Sequence, residues 1–153
     1  MIDMKIKEYK QMKDVKTIRD LYVIYVRKSS ESEDRQMESI PAQLDVLHDI
    51  AKTKNLKIIK TFRESQSAKK PGRPEFNKLV QLLDQNTRIK GILAWKPNRL
   101  FRNPEDEGKI RQRLSDGRIE EIITPSHVYK EGDSDFTMAV EGAQAQRFIR
   151  DLR

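Results

Sequence analysis

The stretch "YVIYVRKSSESEDRQMESIPAQ", residues 22–43, runs an apolar segment straight into an arginine, a lysine and two serines. A polar passage follows, and then a new helix begins. A buried strand that feeds a loop and a helix is the repeating unit of an open α/β sheet. Such sheets put their chemistry just past the carboxyl ends of their strands. Arg27 and Ser29 stand at that place. A serine there either caps a helix or acts as a nucleophile, and this stretch alone leaves both readings open.

Outward from it, the hydrophobic pattern alternates strands with helices. Residues 21–27 read as a buried strand and 39–55 as a helix with Ser39 as N-cap, Pro41 near its start, and Leu44, Leu47 and Ile50 or Ala51 on one face. "LKIIKTFRE" (56–64) is a second strand and "ESQSAKKPGRP" (64–74) a loop by its Ser, Pro and Gly content. "PEFNKLVQLLDQ" (74–85) opens a helix on Pro74. "GILAW" (91–95) is a third strand, and "PEDEGKIRQRLSDG" (104–117) a helix with acids at its start and Gly117 at its stop. "IEEIIT" (119–124) is a fourth strand, and 134–153 a long C-terminal helix. This order predicts an α/β fold, a mostly parallel sheet of four or five strands flanked by helices. Residues 1–20 show no core pattern and are expected as an N-terminal arm to one domain over 21–153. The last helix meets Arg153 without a capping glycine, so the natural protein is expected to continue.

The chain of 153 residues is 36% hydrophobic and 36% charged, with a formal net charge of +7. It contains no cysteine, which excludes disulfides, thiolate metal sites and cysteine nucleophiles together. The first twenty residues mix acids with lysines and lack an apolar h-region, so they are no signal peptide. Nothing approaches the length of a membrane span, and a cytoplasmic location is expected. Between Arg88 and Arg118 nine Lys/Arg stand against four Asp/Glu. Such a concentrated basic excess favours a polyanionic partner, nucleic acid being the commonest, although a solvated basic surface has the same composition.

Each loop after the first three strands carries arginine: Arg27 beside Ser29, Arg73 after Ser67, and Arg99 with Arg102 in "WKPNRLFRN". In a parallel sheet those loops share one edge, and the spacing of Arg99 and Arg102 fits one face of a helical turn. Guanidiniums around a serine suit a phosphodiester, because they bind its oxygens bidentately and stay cationic. No HExxH or other metal-ligand cluster is readable, and His48 and His127 read as structural or exposed. The competing reading is a serine that caps a helix among surface arginines.

The residues also resemble a known family, the serine recombinases (resolvases, invertases and large integrases). "YVRKSS" is similar to its Y-x-R-x-S signature, "SIPAQ" to its S-x-x-x-Q segment, and "GRPEF" to its R-P-x-F. "AWKPNRLFRN" resembles its W-K-x-D-R-L-x-R-N, and "AQAQR" its A-Q-A-E-R. The set runs in order from Tyr22 to the chain end, and two segments look most like the large integrase versions. The resemblance implies a catalytic domain in which Ser29 attacks a DNA phosphodiester. A 5′-phosphoserine link forms, a 3′-hydroxyl is freed, and strands are exchanged within a synaptic tetramer built from dimers. No cofactor or metal is implied. Arg27, Arg99, Arg102 and Arg73 match the family's arginines, and Tyr25, Gln43, Ser67 and Asn98 fall at supporting positions. The partner implied is double-stranded DNA, with no membrane, and a DNA-binding domain is expected downstream. Two departures stand out: Asn98 replaces the usual aspartate and Gln146 the usual glutamate. Both remove negative charge, which keeps a second reading open: a catalytically weak or inert DNA-binding or assembly module on the same fold.

Overall fold

The strand that opens the motif is buried along its whole length. β1 (Leu21–Arg27) lies between two other strands, so neither of its edges meets water. The structure, a computed structural model, describes residues 19–28, 39–64, 73–101 and 103–132, with Asn98 described by its backbone alone. β1 is followed by α1 (Ile40–Thr53), β2 (Lys57–Glu64), α2 (Pro74–Gln85), β3 (Ile89–Ala94), a single turn α3 (Pro97–Leu100), α4 (Pro104–Ser115), β4 (Glu121–Ile123) and β5 (Val128–Lys130). The five strands form one sheet in the order β2-β1-β3-β4-β5. The first four are parallel and β5 is antiparallel to β4.

Side chains of β1 alternate between two cores, as the pleat requires. Leu21, Val23 and Tyr25 join Phe62 and the apolar faces of α2 (Phe76, Leu79, Leu83) and α4 (Ile110, Leu114). Tyr22, Ile24 and Val26 face the other way, against Leu44, Leu47 and Ala51 of α1. The helices therefore cover both faces of the sheet, which is why β1 reads as a continuous apolar run rather than an alternating one. Burial of each large side chain contributes about 1.5–3 kcal/mol.

Local signals fall where the sequence puts them. Ser39 caps α1 by accepting from the Ala42 N–H, and α4 ends before Gly117, whose φ of 73° suits glycine. At Gly91 a Cβ atom would lie 2.7 Å from the Glu121 carbonyl oxygen, so only glycine lets β3 approach β4 there. Strand boundaries differ from expectation at β4, which is Glu121–Ile123 rather than 119–124, and at β3. β3 starts at Ile89, because that buried side chain pairs with Leu21, and it ends at Ala94, leaving Trp95 outside. The fifth strand, β5, returns through a turn in which the Thr124 N–H donates to the His127 carbonyl at 2.9 Å. Three residues are too few to show a period. Arg19 donates to the Gly117 carbonyl and Asp20 pairs with Arg88 at 3.0 Å, so the expected arm is tied to the domain at its last two residues. The remainder of that arm and the expected C-terminal helix lie outside the described residues. Among those described, no helix is long and apolar enough to cross a membrane.

Candidate active site

The strand order creates the place for a site. The chain leaves β1 for β2 on one side and reaches β3 on the other, so the loops after β1 and β3 diverge at a switch point of the sheet. The carboxyl ends of the three strands are level: Arg27 stands opposite Glu64, and Tyr25 opposite Ala94.

Arg27 is the last residue of β1 and is 8% exposed. Its Nε donates to the Arg99 carbonyl at 3.3 Å, linking the strand end to α3. Gln43, buried on α1, donates through Nε2 to the Arg27 carbonyl at 3.1 Å. The Lys28 N–H donates to the Glu64 carbonyl at 3.2 Å. The backbone entering residue 29 is thus held from α1 and from β2. Arg99 lies on α3 and is buried as well.

Arg73 occupies the N-cap position of α2 but makes no capping bond with its side chain. Glu64, at the end of β2, does that work instead, accepting from the Phe76 N–H at 3.0 Å. That carboxylate satisfies one of the orphan donors at a helix start and leaves the Arg73 guanidinium for other partners. Arg73 Nη1 donates to Asp106 Oδ2 at 2.6 Å. Nη2 donates to the Tyr25 hydroxyl at 2.6 Å and to the Leu100 carbonyl at 3.0 Å. The guanidinium carbon lies 4.3 Å from the centre of the Phe76 ring, within cation–π reach. Asp106 stands in the first turn of α4, and its N–H donates to Asn103, the α4 N-cap, at 2.8 Å.

Tyr25 sits between Arg73 and Glu64, with its hydroxyl 3.5 Å from Glu64 Oε2. Burial pushes its pKa up to about 12, Arg73 opposes that rise, and Glu64 adds to it. The phenol is neutral near pH 7 and serves as a hydrogen-bonded packing group.

Five expected site residues, Arg27, Arg99, Arg73, Tyr25 and Gln43, meet at this one edge of the sheet. Ser29, Ser67 and Arg102 lie outside the described residues, and Asn98 contributes its backbone to α3. Two members escaped sequence reading. Glu64 reads as the end of a strand, and Asp106 as one of three acids in the first turn of α4. Nothing in the local pattern signals that either is buried against Arg73. His48 is exposed and His127 packs at a tilt against Tyr129, with ring centres 4.6 Å apart. Among the described residues no group of three or more His, Asp or Glu is placed to hold a metal ion.

The chain matches known proteins at the level of family and fold. The family model "Resolvase, N terminal domain" matches residues 22–148. No curated protein sequence matches. Among solved structures, the chain is similar to the N-terminal catalytic domain of TP901-1 integrase, with 19% identity and a TM-score of 0.60. That match covers 87% of this chain and 98% of the other. A resolvase family site-specific recombinase from Streptococcus pneumoniae gives 18% identity and a TM-score of 0.60, covering 86% and 93%. The C-terminal catalytic domain of an IS607-like serine recombinase, a TnpA protein, gives 23% and 0.54, covering 69% and 70%. At these identities the three likenesses speak for the fold.

Proposed function

The chain belongs to the resolvase N-terminal domain family, and from that premise we propose that it cleaves and rejoins DNA through Ser29. The observation that carries the reading is the convergence of Arg27 and Arg99 where β1 delivers the chain to residue 29. Ser29 Oγ attacks a backbone phosphorus, the bond to the 3′-oxygen breaks, and a 5′-phosphoserine forms. The proton lost by the serine balances the one gained by the departing 3′-hydroxyl. Reversal by a different 3′-hydroxyl seals exchanged strands, and the ester bond energy is kept throughout.

The arginines supply what this chemistry needs. Charge grows on the equatorial oxygens during attack, and a fixed donor aimed at them is worth roughly 3 kcal/mol. Arg27 is held by the sheet and Arg99 by a short turn, so little reorganisation is needed at the moment of reaction. Arg102 completes the set in the same reading, with Ser67, Asn98 and Gln43 in support.

As in other parts of this reading, the partner is double-stranded DNA in the cytoplasm. The protomers pair and then assemble as a tetramer, and a DNA-reading domain follows this one. Placement in the large integrase group rests on the "SIPAQ" and "AWKPNRLFRN" segments. The inert-module reading rests on Asn98 and Gln146, which lack the charge of the family's usual residues.

The test is a covalent adduct. The protein is incubated in EDTA with duplex DNA spanning the ends of the element that carries its gene, and resolved on a denaturing gel. An adduct lost in Ser29→Ala, with DNA binding retained, is expected. Specific binding without adduct favours the inert module, and Asn98→Asp then becomes the protein to test.

A further inference from the structure

Two guanidiniums, one from the end of β1 and one from the N-cap position of α2, grip successive carbonyls of one short turn. Arg27 Nε holds the Arg99 carbonyl, and Arg73 Nη2 holds the Leu100 carbonyl at 3.0 Å. That turn, α3, is four residues long and has no side-chain N-cap of its own. The Arg99 N–H to Lys96 and the Phe101 N–H to Pro97 close it. An isolated turn of this length does not persist by itself, because helix nucleation is unfavourable. Its geometry, and with it the place of Arg99, is therefore set from outside.

Arg73 is set in turn by Asp106. A guanidinium is a planar fork, so fixing one nitrogen largely fixes the others. The Asp106 carboxylate on Nη1 at 2.6 Å thereby aims Nη2 at Leu100 and Tyr25. Asp106 is itself 8% exposed, and α4 is anchored in the core by Ile110 and Leu114. The chain of contacts thus runs from a well-packed helix, through one ion pair, to the turn that bears Arg99.

We propose that Asp106 is a positioning residue for the strand-cleavage step, acting through Arg73 on the α3 turn and so on Arg99. The proposal rests on the serine reaction above and extends it to a residue that acts through Arg73. It also makes Arg73 a brace for the phosphate-binding turn rather than a phosphate ligand in this arrangement. Nη1 and Nη2 are engaged and the side chain is 6% exposed.

The test compares Asp106→Ala and Asp106→Asn with Leu47→Ala, a core truncation on the opposite face of the sheet. Adduct formation is timed with the same duplex DNA, at a temperature where melting curves show every variant folded. Asp106→Ala is expected to slow adduct formation by about tenfold or more, with DNA affinity unchanged. Asp106→Asn, which keeps an acceptor for Arg73, is expected to recover part of the rate. Leu47→Ala should lose stability and keep its rate. Equal rates for wild type and Asp106→Ala overturn the proposal. So does a faster alanine variant, since Asp106 then restrains Arg73 instead of placing it.

A second measurement needs no activity. The Arg99 Nε–H resonance, assigned with Arg99→Lys, should move in Asp106→Ala and Asp106→Asn. Movement of the Arg73 resonance alone overturns the proposal. An absence of adduct from the wild-type protein counts against the serine reaction, while the resonance still reports whether Asp106 places Arg99.

Discussion

The two faces of the sheet are built from different materials. Against α1 the contact is apolar, with Tyr22, Ile24 and Val26 meeting Leu44, Leu47 and Ala51. Its polar links include the Tyr22 hydroxyl on Glu121 at 2.7 Å, at the amino end of the strands, and Gln43 of α1 on the Arg27 carbonyl at 3.1 Å. Against α2 and α4 the same sheet buries Tyr25, Glu64, Arg73 and Asp106 together at the carboxyl end. A buried ion pair is poor evidence for stability, since apolar residues of the same volume often serve as well. What the charged corner provides is direction: each of its bonds fixes where a loop enters the edge. Both faces hold the fold; the α1 face steadies the end of β1 through Gln43, and the α2/α4 face aims the site through its charged corner.

Substitutions can break that contrast, and the largest effect belongs to the corner. Arg73→Ala leaves Asp106 buried without its cation and is expected to cost about 3–5 kcal/mol. Chemical denaturation measures the loss, and Arg73→Ala with Asp106→Ala together should recover part of it. Next comes Leu47→Ala, a fully buried truncation on the apolar face expected to cost about 2–5 kcal/mol. Its denaturation midpoint should fall while the rate of folded molecules stays the same. If that rate falls too, the division between the faces fails.

Tyr25→Phe sharpens the contrast with a smaller effect. It removes one acceptor from Arg73, leaving the Leu100 carbonyl, and is expected to cost about 1–2 kcal/mol. It also has a signature in pH. A phenol whose folded pKa is raised stabilises the fold fully below the unfolded value of 10, and that contribution is lost as pH rises toward about 12. The alkaline fall in stability should flatten in Tyr25→Phe. Tyr22, also raised by burial and then by Glu121, keeps the remainder.

The smallest effect lies on the outer surface, where Arg113 of α4 pairs with Asp84 of α2 at 2.7 Å. Arg113→Ala is expected to cost less than about 1 kcal/mol. The Arg113 hydrogen bond lowers the Asp84 pKa, so the small contribution is present above the unfolded value of 3.8 and lost as pH falls through the lower folded one. An acid titration of stability should therefore change slightly in this variant.

The fold was legible because its signals are local and mutually consistent. Continuous apolar β1, the Ser39 cap, Pro74 and Pro104 at helix starts, and Gly117 past a helix end each specify one element without reference to the others. Arg27, Arg99 and Arg73 were legible as members of one edge, because a parallel sheet brings its carboxyl ends together, whereas Gln43 was legible from the family resemblance alone. The role of Arg73 was not. Whether a guanidinium meets a carboxylate thirty-three positions away depends on how α4 is docked, and no local period encodes that. Glu64 escaped for the same reason, since its cap serves a helix that begins ten residues later in the chain. β5 escaped because three residues carry no alternation.

The order β2-β1-β3 also has a consequence during synthesis. β1 leaves the ribosome before either of its neighbours, yet both of its edges need them: residues 57–64 on one side and 89–94 on the other. Until Ala94 has emerged, the most apolar strand of the chain has no complete berth. Non-local parallel pairing is slow for this reason, and unpaired apolar strands are the segments on which nascent chains aggregate. Arg27 and Lys28 put two charges directly after that strand, the kind of flank that disfavours self-association of an apolar segment.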